Sequence, residues 1–470
     1  MKPIRIAKAL SVIALAATLP LAGVPAMAAA DMNPTATSGQ LWVTRYNGPG
    51  NGSDTPSAIQ VSGDGTHIYV TGRSWGGLPS HGGTAGDYAT VAYNTAGHTL
   101  WVRRYNGPGN GPDQATAEAV GPGRVYVTGW STGTDTGQDF ATLAYSSSGT
   151  LLWTQRYNGL GNGDDQATSI AVSPDGSEIF VTGPSAGEGG AQVYETLAYS
   201  SDGTLLWSAA LGPGVAISSY LAVSRDGTRV YVTGTTAGGD GALTTAYHAA
   251  TGEKVWTDSY VPIVFRGYGF EEAGPGSVTV SHDGTRIAVV GDGCDDCEMG
   301  PSFAGFAVMY AKSGDRMWNR VYGSPTGLSE DMSASAMSPD GRSLYVAGDL
   351  FGGCPLISDL GSRNGGVRWQ KNYGKGCVNG GTLYSIAAGP GGHNVFATGT
   401  VNYDAFITLR YTTAGGLVWA RGYNGPGGAR GYESPPSIAL SPDGTRIYVS
   451  GGDSEKGSND DFATVAYSAA

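Results

Sequence analysis

Four cysteines are the most reactive side chains in this sequence, and their spacing admits two chemistries. Cys294 and Cys297 form a Cys-x-x-Cys pair, while Cys354 and Cys377 follow singly. In an oxidising compartment such a set forms disulfides, with three connectivities open and chain proximity favouring Cys294–Cys297 and Cys354–Cys377. The same four thiolates could hold a zinc ion, although one Cys-x-x-Cys supplies only half of such a site. Covalent haem is excluded because Glu298, not His, follows Cys297. The six histidines, His67, His81, His98, His248, His282 and His393, form no metal-binding pair, and no Gly-x-Ser-x-Gly elbow occurs. No catalytic residue is therefore predicted.

Acidic residues gather in several loops: Asp135 and Asp139, Asp164 and Asp165, Asp292 with Asp295, Asp296 and Glu298, Glu330 and Asp331, Asp460 and Asp461. Calcium takes several oxygen ligands from one closed loop, and it is the metal such carboxylates could hold. No segment carries an Asp-x-Asp-x-Asp-Gly loop, so solvated turns are the expectation. Two tryptophans, Trp75 and Trp130, each stand just beyond a β-like run, where a flat ring could stack on a sugar or a protein. They are the candidate ligand-binding residues.

The elements that position these residues are visible as repeats. Trp42, Trp101, Trp153, Trp207, Trp256, Trp318, Trp369 and Trp419 recur at intervals of 49 to 62 residues. A second marker also occurs eight times, a Gly-containing turn such as Pro174-Asp175-Gly176 or Pro442-Asp443-Gly444 between two short β-rich runs. Pro suits the first corner of such a turn and Gly its left-handed residue, so each is a hairpin. A third run such as Asp87–Tyr93 and a Trp-bearing fourth such as Leu100–Tyr105 complete a unit of four strands. Second strands such as Ile68-Tyr69-Val70 and Val230-Tyr231-Val232 are apolar without alternation, which marks a sheet covered on both faces.

Eight small sheets, each covered by its neighbours, make an all-β, eight-bladed β-propeller of four-stranded antiparallel blades. Composition agrees: 78 Gly and 24 Pro in 470 residues exclude a mainly helical chain, and 40% hydrophobic against 14% charged residues excludes a disordered one. The chain enters the repeats on a Trp strand, Leu41–Tyr46, and leaves on a third strand, Phe462–Tyr467. Leu41–Tyr46 is therefore predicted to complete the last blade and close the ring. The repeated link Tyr46-Asn47-Gly48-Pro49-Gly50-Asn51-Gly52 is read as a tight turn, because a phosphate cradle would need a helix after it.

With Val127-Thr128-Gly129, Val181-Thr182-Gly183 and Val232-Thr233-Gly234, the Pro-Asp-Gly turns and the terminal Trp, the chain resembles the bacterial β-propeller repeat family with Tyr-Val-Thr-Gly strands. That family is related to quinoprotein-like eight-bladed propellers, and the stretch Ala246–Trp256 is similar to their tryptophan-docking motif. The resemblance implies the fold over Gln40–Tyr467. Quinoproteins carry an adjacent-cysteine disulfide that is not evident here, so pyrroloquinoline quinone is not expected.

Residues 1–28 read as a signal peptide: Lys2, Arg5 and Lys8 precede an apolar run that ends at Ala26-Met27-Ala28. Residues 29–39 come next as a flexible segment and 40–470 as one propeller. Loss of the leader takes the formal net charge from −12 to −15, which disfavours nucleic acid as a partner. The expectation is a secreted monomer without membrane anchor. It would be non-enzymatic and bind an extracellular protein or glycan through its irregular loop face. A quinoprotein-like oxidoreductase using the central channel, or a lactonase-like enzyme, stands as the alternative.

Overall fold

Both faces of every second strand are apolar because both are covered. In β3 (His67–Ser74), Ile68 faces one neighbouring blade and Tyr69 the other, each 1% exposed or less. The computed structural model describes residues 39–77, 84–212, 219–262, 272–294, 303–323, 330–350, 353–374, 380–401, 405–425, 435–454 and 460–470. The leader, Asp295, Asp296, Cys297, Glu298 and Cys377 lie outside the described residues. Among the described residues no helix is long and apolar enough to cross a membrane.

Eight four-stranded antiparallel sheets succeed one another around a ring, as the repeats predict. The first blade is β2 (Thr55–Val61), β3, β4 (Asp87–Asn94) and β5 (Thr99–Tyr105), in sequence order. First strands touch first strands from blade to blade, so they are innermost and the Trp strands outermost. The last blade has β30 (Ser437–Leu440), β31 (Arg446–Ser454) and β32 (Asp460–Ser468), with β1 (Gln40–Tyr46) as its outer strand. Trp42 pairs with Ala466 and Tyr46 with Phe462, so the predicted closure is present.

Eight hydrophobic clusters make up the core, one between each pair of neighbouring blades. The blade tryptophans lock these wedges. Each indole lies over the turn glycine of the next blade and donates Nε1–H to a carbonyl there: Trp101 to Ser147 at 2.8 Å, Trp153 to Ser201 at 3.0 Å, Trp318 to Ser362 at 2.9 Å. Trp419 is the exception. In the last blade the third and outer strands come from opposite ends of the chain, so no turn joins them. The Trp419 Nε1–H has no partner among the described residues; Arg421 lies over its ring at 4.0 Å and donates to Ser468 O at 2.6 Å.

The repeat residues have local reasons. Thr of Tyr-Val-Thr-Gly meets a threonine across the sheet, as Thr71 with Thr90 at 3.1 Å and Thr128 with Thr142 at 2.9 Å. Its Gly sits against a bulge in the innermost strand: a Cβ on Gly72 or Gly129 would strike the Thr55 or Gln114 carbonyl. In six hairpins a serine hydroxyl donates to the turn aspartate, for example Ser173 to Asp175 at 2.6 Å.

Candidate functional site

Hairpins and pre-Trp turns occupy one face of the ring. The links between blades and the loops after the second strands occupy the other, and there the structure separates scaffold from candidate ligand contacts.

Three of the acidic residues on this loop face are pins. Asp54, Asp113 and Asp165 are fully buried, each holding a link against the end of a second strand. Asp165 accepts Gly159 N–H at 2.6 Å, Ala186 N–H at 2.8 Å and Ser185 Oγ–H at 2.6 Å. Asp113 repeats this with Gly107 at 2.6 Å and Thr132 at 2.8 Å. Burial pushes these carboxyls up, and the donated hydrogen bonds oppose it. The links are tight turns, as expected, with Asn51 N–H on Gly48 O at 3.1 Å and Asn51 left-handed at φ 47°. Asp139 pairs with Arg156 and Asp87 with Arg104, both at 2.7 Å. Asp164 accepts the Gln138 N–H at 3.0 Å, and Asp135 is a turn residue with φ 152°.

The two candidate tryptophans do not occupy equivalent places. Trp75 comes directly after β3, and its backbone N–H is held by Asp54 at 2.8 Å. Its ring lies on the preceding link, where a Cβ on Gly50 or Gly52 would collide with it. Trp130 is inside its strand, β7 (Arg124–Thr132), and not beyond it as the sequence suggested. It pairs with Gln114 on one side and Phe140 on the other, and is half-buried. The strand continues past Gly129 because both neighbouring strands extend to pair it.

That register exposes a position the sequence reading missed. The residue after the glycine of each second strand is Arg73, Trp130, Pro184, Thr235, Asp292, Asp349, Thr400 and Gly452 in turn. The glycine before it is invariant around the ring, whereas this residue takes six identities. Each sits on a strand paired on at least one side, at the loop-face end. The signal lay in the sequence as variation next to a repeated Gly.

Two members of the ring join an acidic group. Asp331 faces Asp349 across the strand pair β22 (Glu330–Met337) and β23 (Ser343–Leu350). Asp292, from the blade before, is held well above the ordinary carboxyl range by burial and by the charges of Asp331 and Asp349. Asp349 is pushed to about 7 by burial and by Asp331, and Asp331 is raised by burial. Only Asp292 and Asp331 were singled out from the sequence. Among the described residues no set of three or more His, Cys, Asp or Glu side chains is arranged to hold a metal ion. Cys294 ends its strand and Cys354 begins one, so neither lies in a loop; they are 4% and 2% exposed. Among the described residues no cysteine is free.

No family model matches the chain, and no curated protein matches it. Solved structures do. Chaetomium thermophilum Sqt1, bound to the N-terminus of the ribosomal protein L10, superposes with a TM-score of 0.58 at 14% identity over 90% of this chain and 98% of its own. The Dos1 propeller gives 0.55 at 11% identity over 91% and 96%. The quinohemoprotein alcohol dehydrogenase ADHIIG of Pseudomonas putida HK5 gives 0.53 at 13% identity over 91% of this chain and 76% of its own. These likenesses establish the fold.

Proposed function

We propose that this protein is an exported, non-enzymatic recognition module that binds an extracellular protein or glycan through its loop face. One observation carries the reading. On otherwise repeated second strands, the residue after the glycine varies from blade to blade, and at Trp130 it is a half-buried aromatic held rigidly between two strands. A scaffold has no need of variation there, whereas a recognition surface does. Similar propellers include one bound to a ribosomal protein and one that is an alcohol dehydrogenase, so the likeness favours neither activity. Export rests on the leader residues. The pairs Cys294–Cys297 and Cys354–Cys377 belong to the same proposal, as locks for loops on this face. Peptide mapping without reduction is expected to recover both; four free thiols would refute them.

The test is a screen of the purified protein on glycan and extracellular-protein arrays, with Trp130→Ala and Trp75→Ala beside the wild type. Trp130→Ala is expected to fold normally and weaken binding by about tenfold or more, the size of an aromatic hot spot. Trp75→Ala is expected to lower the melting temperature instead, because its ring covers the link. A stoichiometric quinone chromophore in the purified protein, or failure to find any ligand whose binding Trp130→Ala weakens, would overturn the reading.

A further inference from the structure

One blade carries charged residues at two linked positions of the repeat, on the face away from the proposed surface. In each blade a residue of the third strand lies between a second-strand residue, aromatic in seven blades and Ala288 in the fifth, and the blade Trp. The row reads Tyr69–Ala92–Trp101 in the first blade and Tyr126–Ala144–Trp153 in the second. Alanine holds this middle place in five blades, as Ala92, Ala144, Ala198, Ala246 and Ala466, while the fifth blade has Met309 and the seventh Arg410. In the sixth blade the row is Tyr345–Asp359–Trp369. The residue before Trp369 is Arg368, where other blades carry aliphatic residues such as Leu100, Leu152, Leu206 and Val418. An apolar pair of positions has become an acid and a base.

The acid is not satisfied by the base. Asp359 is 2% exposed, and its Oδ1 has no hydrogen-bond partner among the described residues. Arg368 stays 3.9 Å from Oδ2, well beyond the 2.7 Å of the Arg104–Asp87 pair, and donates instead to Ser343 Oγ at 2.7 Å. A carboxylate oxygen left without a partner in a blade interface is costly, and an alanine at the same place would remove the cost. Both side chains border a cleft of about 590 Å³ between the sixth and seventh blades, walled also by Tyr345, Trp369, Pro390 and Thr413. That volume is in the range of small-molecule sites. Its two acids, Asp340 and Asp359, are matched by two bases, Arg342 and Arg368, so the lining carries no net charge.

We propose that this cleft binds a neutral saccharide, with Asp359 accepting and Arg368 donating hydrogen bonds to neighbouring hydroxyls beside the Trp369 indole. A sugar offers adjacent groups that both donate and accept, together with an apolar ring face, and these match the lining. A cationic side chain would use the acid but leave Arg368 opposed to it. This site is independent of Trp130 and of the loop-face reading.

Isothermal titration with cellohexaose, xylohexaose, mannohexaose and chitohexaose tests it, with hexalysine as the cationic probe. Two variants take residues that sister blades already hold, Asp359→Ala and Arg368→Leu. Saturable binding of at least one oligosaccharide is expected, weakened about tenfold or more in each variant and unchanged in Trp130→Ala. Asp359→Ala is also expected to melt no lower than the wild type, which a purely structural acid would not allow. Failure of every oligosaccharide to bind, binding that survives Asp359→Ala, a lowered Asp359→Ala melting temperature, or binding of hexalysine alone would overturn the proposal.

Discussion

A carboxyl group in this chain takes its character from its place in the blade. The hairpin aspartates Asp64, Asp175, Asp283 and Asp443 are held at about 2, first by the serine two residues earlier and then by donors just after them. Their folded values lie below the ordinary 3.8. Their contribution to stability is therefore complete above about pH 4 and is lost as pH falls toward 2. Glu195 is the opposite case. It stands where other third strands carry Ala89, Ala141 and Ala463, is 5% exposed, and is pushed from 4.5 to about 7 by burial. A raised acid favours the folded state only while protonated, so its penalty is absent below about pH 4.5, grows up to about pH 7 and is constant above. Glu195→Gln should thus stabilise the protein by about 2 kcal/mol at pH 8 and change little at pH 5. Thermal melts at both pH values check this; an equal effect at the two would contradict it. Part of the slope should remain, because Asp349 is also held near 7.

At the scale of elements, strands and turns were readable because each repeats its own cause. A turn Gly, a Ser two residues before the turn Asp, and a Trp that docks on the next blade recur, so eight weak signals add. The features that could not be read depend on contacts between strands and between repeats. Trp130 seemed to stand outside its strand because Gly129 looks like a terminus. The strand continues only because Gln114 and Phe140 flank Trp130 in the sheet and pair with it from either side. Asp349 drew no notice alone; it matters because ring order brings Asp292 of the neighbouring blade against it. Asp359 looked like any strand residue until register set it between Tyr345 and Trp369. The clearest test at this scale concerns β1, which supplies an outer strand and the Trp42 contact to Thr95 O at 3.0 Å. Removing Gln40–Tyr46 exposes the outer edge of β32 and opens the interface between the last and first blades. The melting temperature should fall by about 10 °C. An unchanged value would contradict closure by this strand.

The whole molecule is a ring of eight wedges with no single centre, so each interface can tolerate a substitution while the others hold the shape. That explains how Trp130, Asp292 and Asp349 can occupy a position whose backbone is the same in every blade. It also divides the molecule by face. Hairpins of nearly constant sequence lie on one side, interrupted by the cleft beside Asp359, and variable strand ends and loops lie on the other. The abundance of glycine belongs to the scaffold, at turns and opposite bulges, while recognition is assigned to the few residues that depart from the repeat. Hydrogen exchange of the intact protein, with and without an array ligand whose binding Trp130→Ala weakens, tests this division most directly. Protection is predicted at the loop-face ends of the second strands, around Arg73, Trp130, Asp292 and Asp349. Protection confined to the hairpin turns, with those strand ends unchanged, would contradict it.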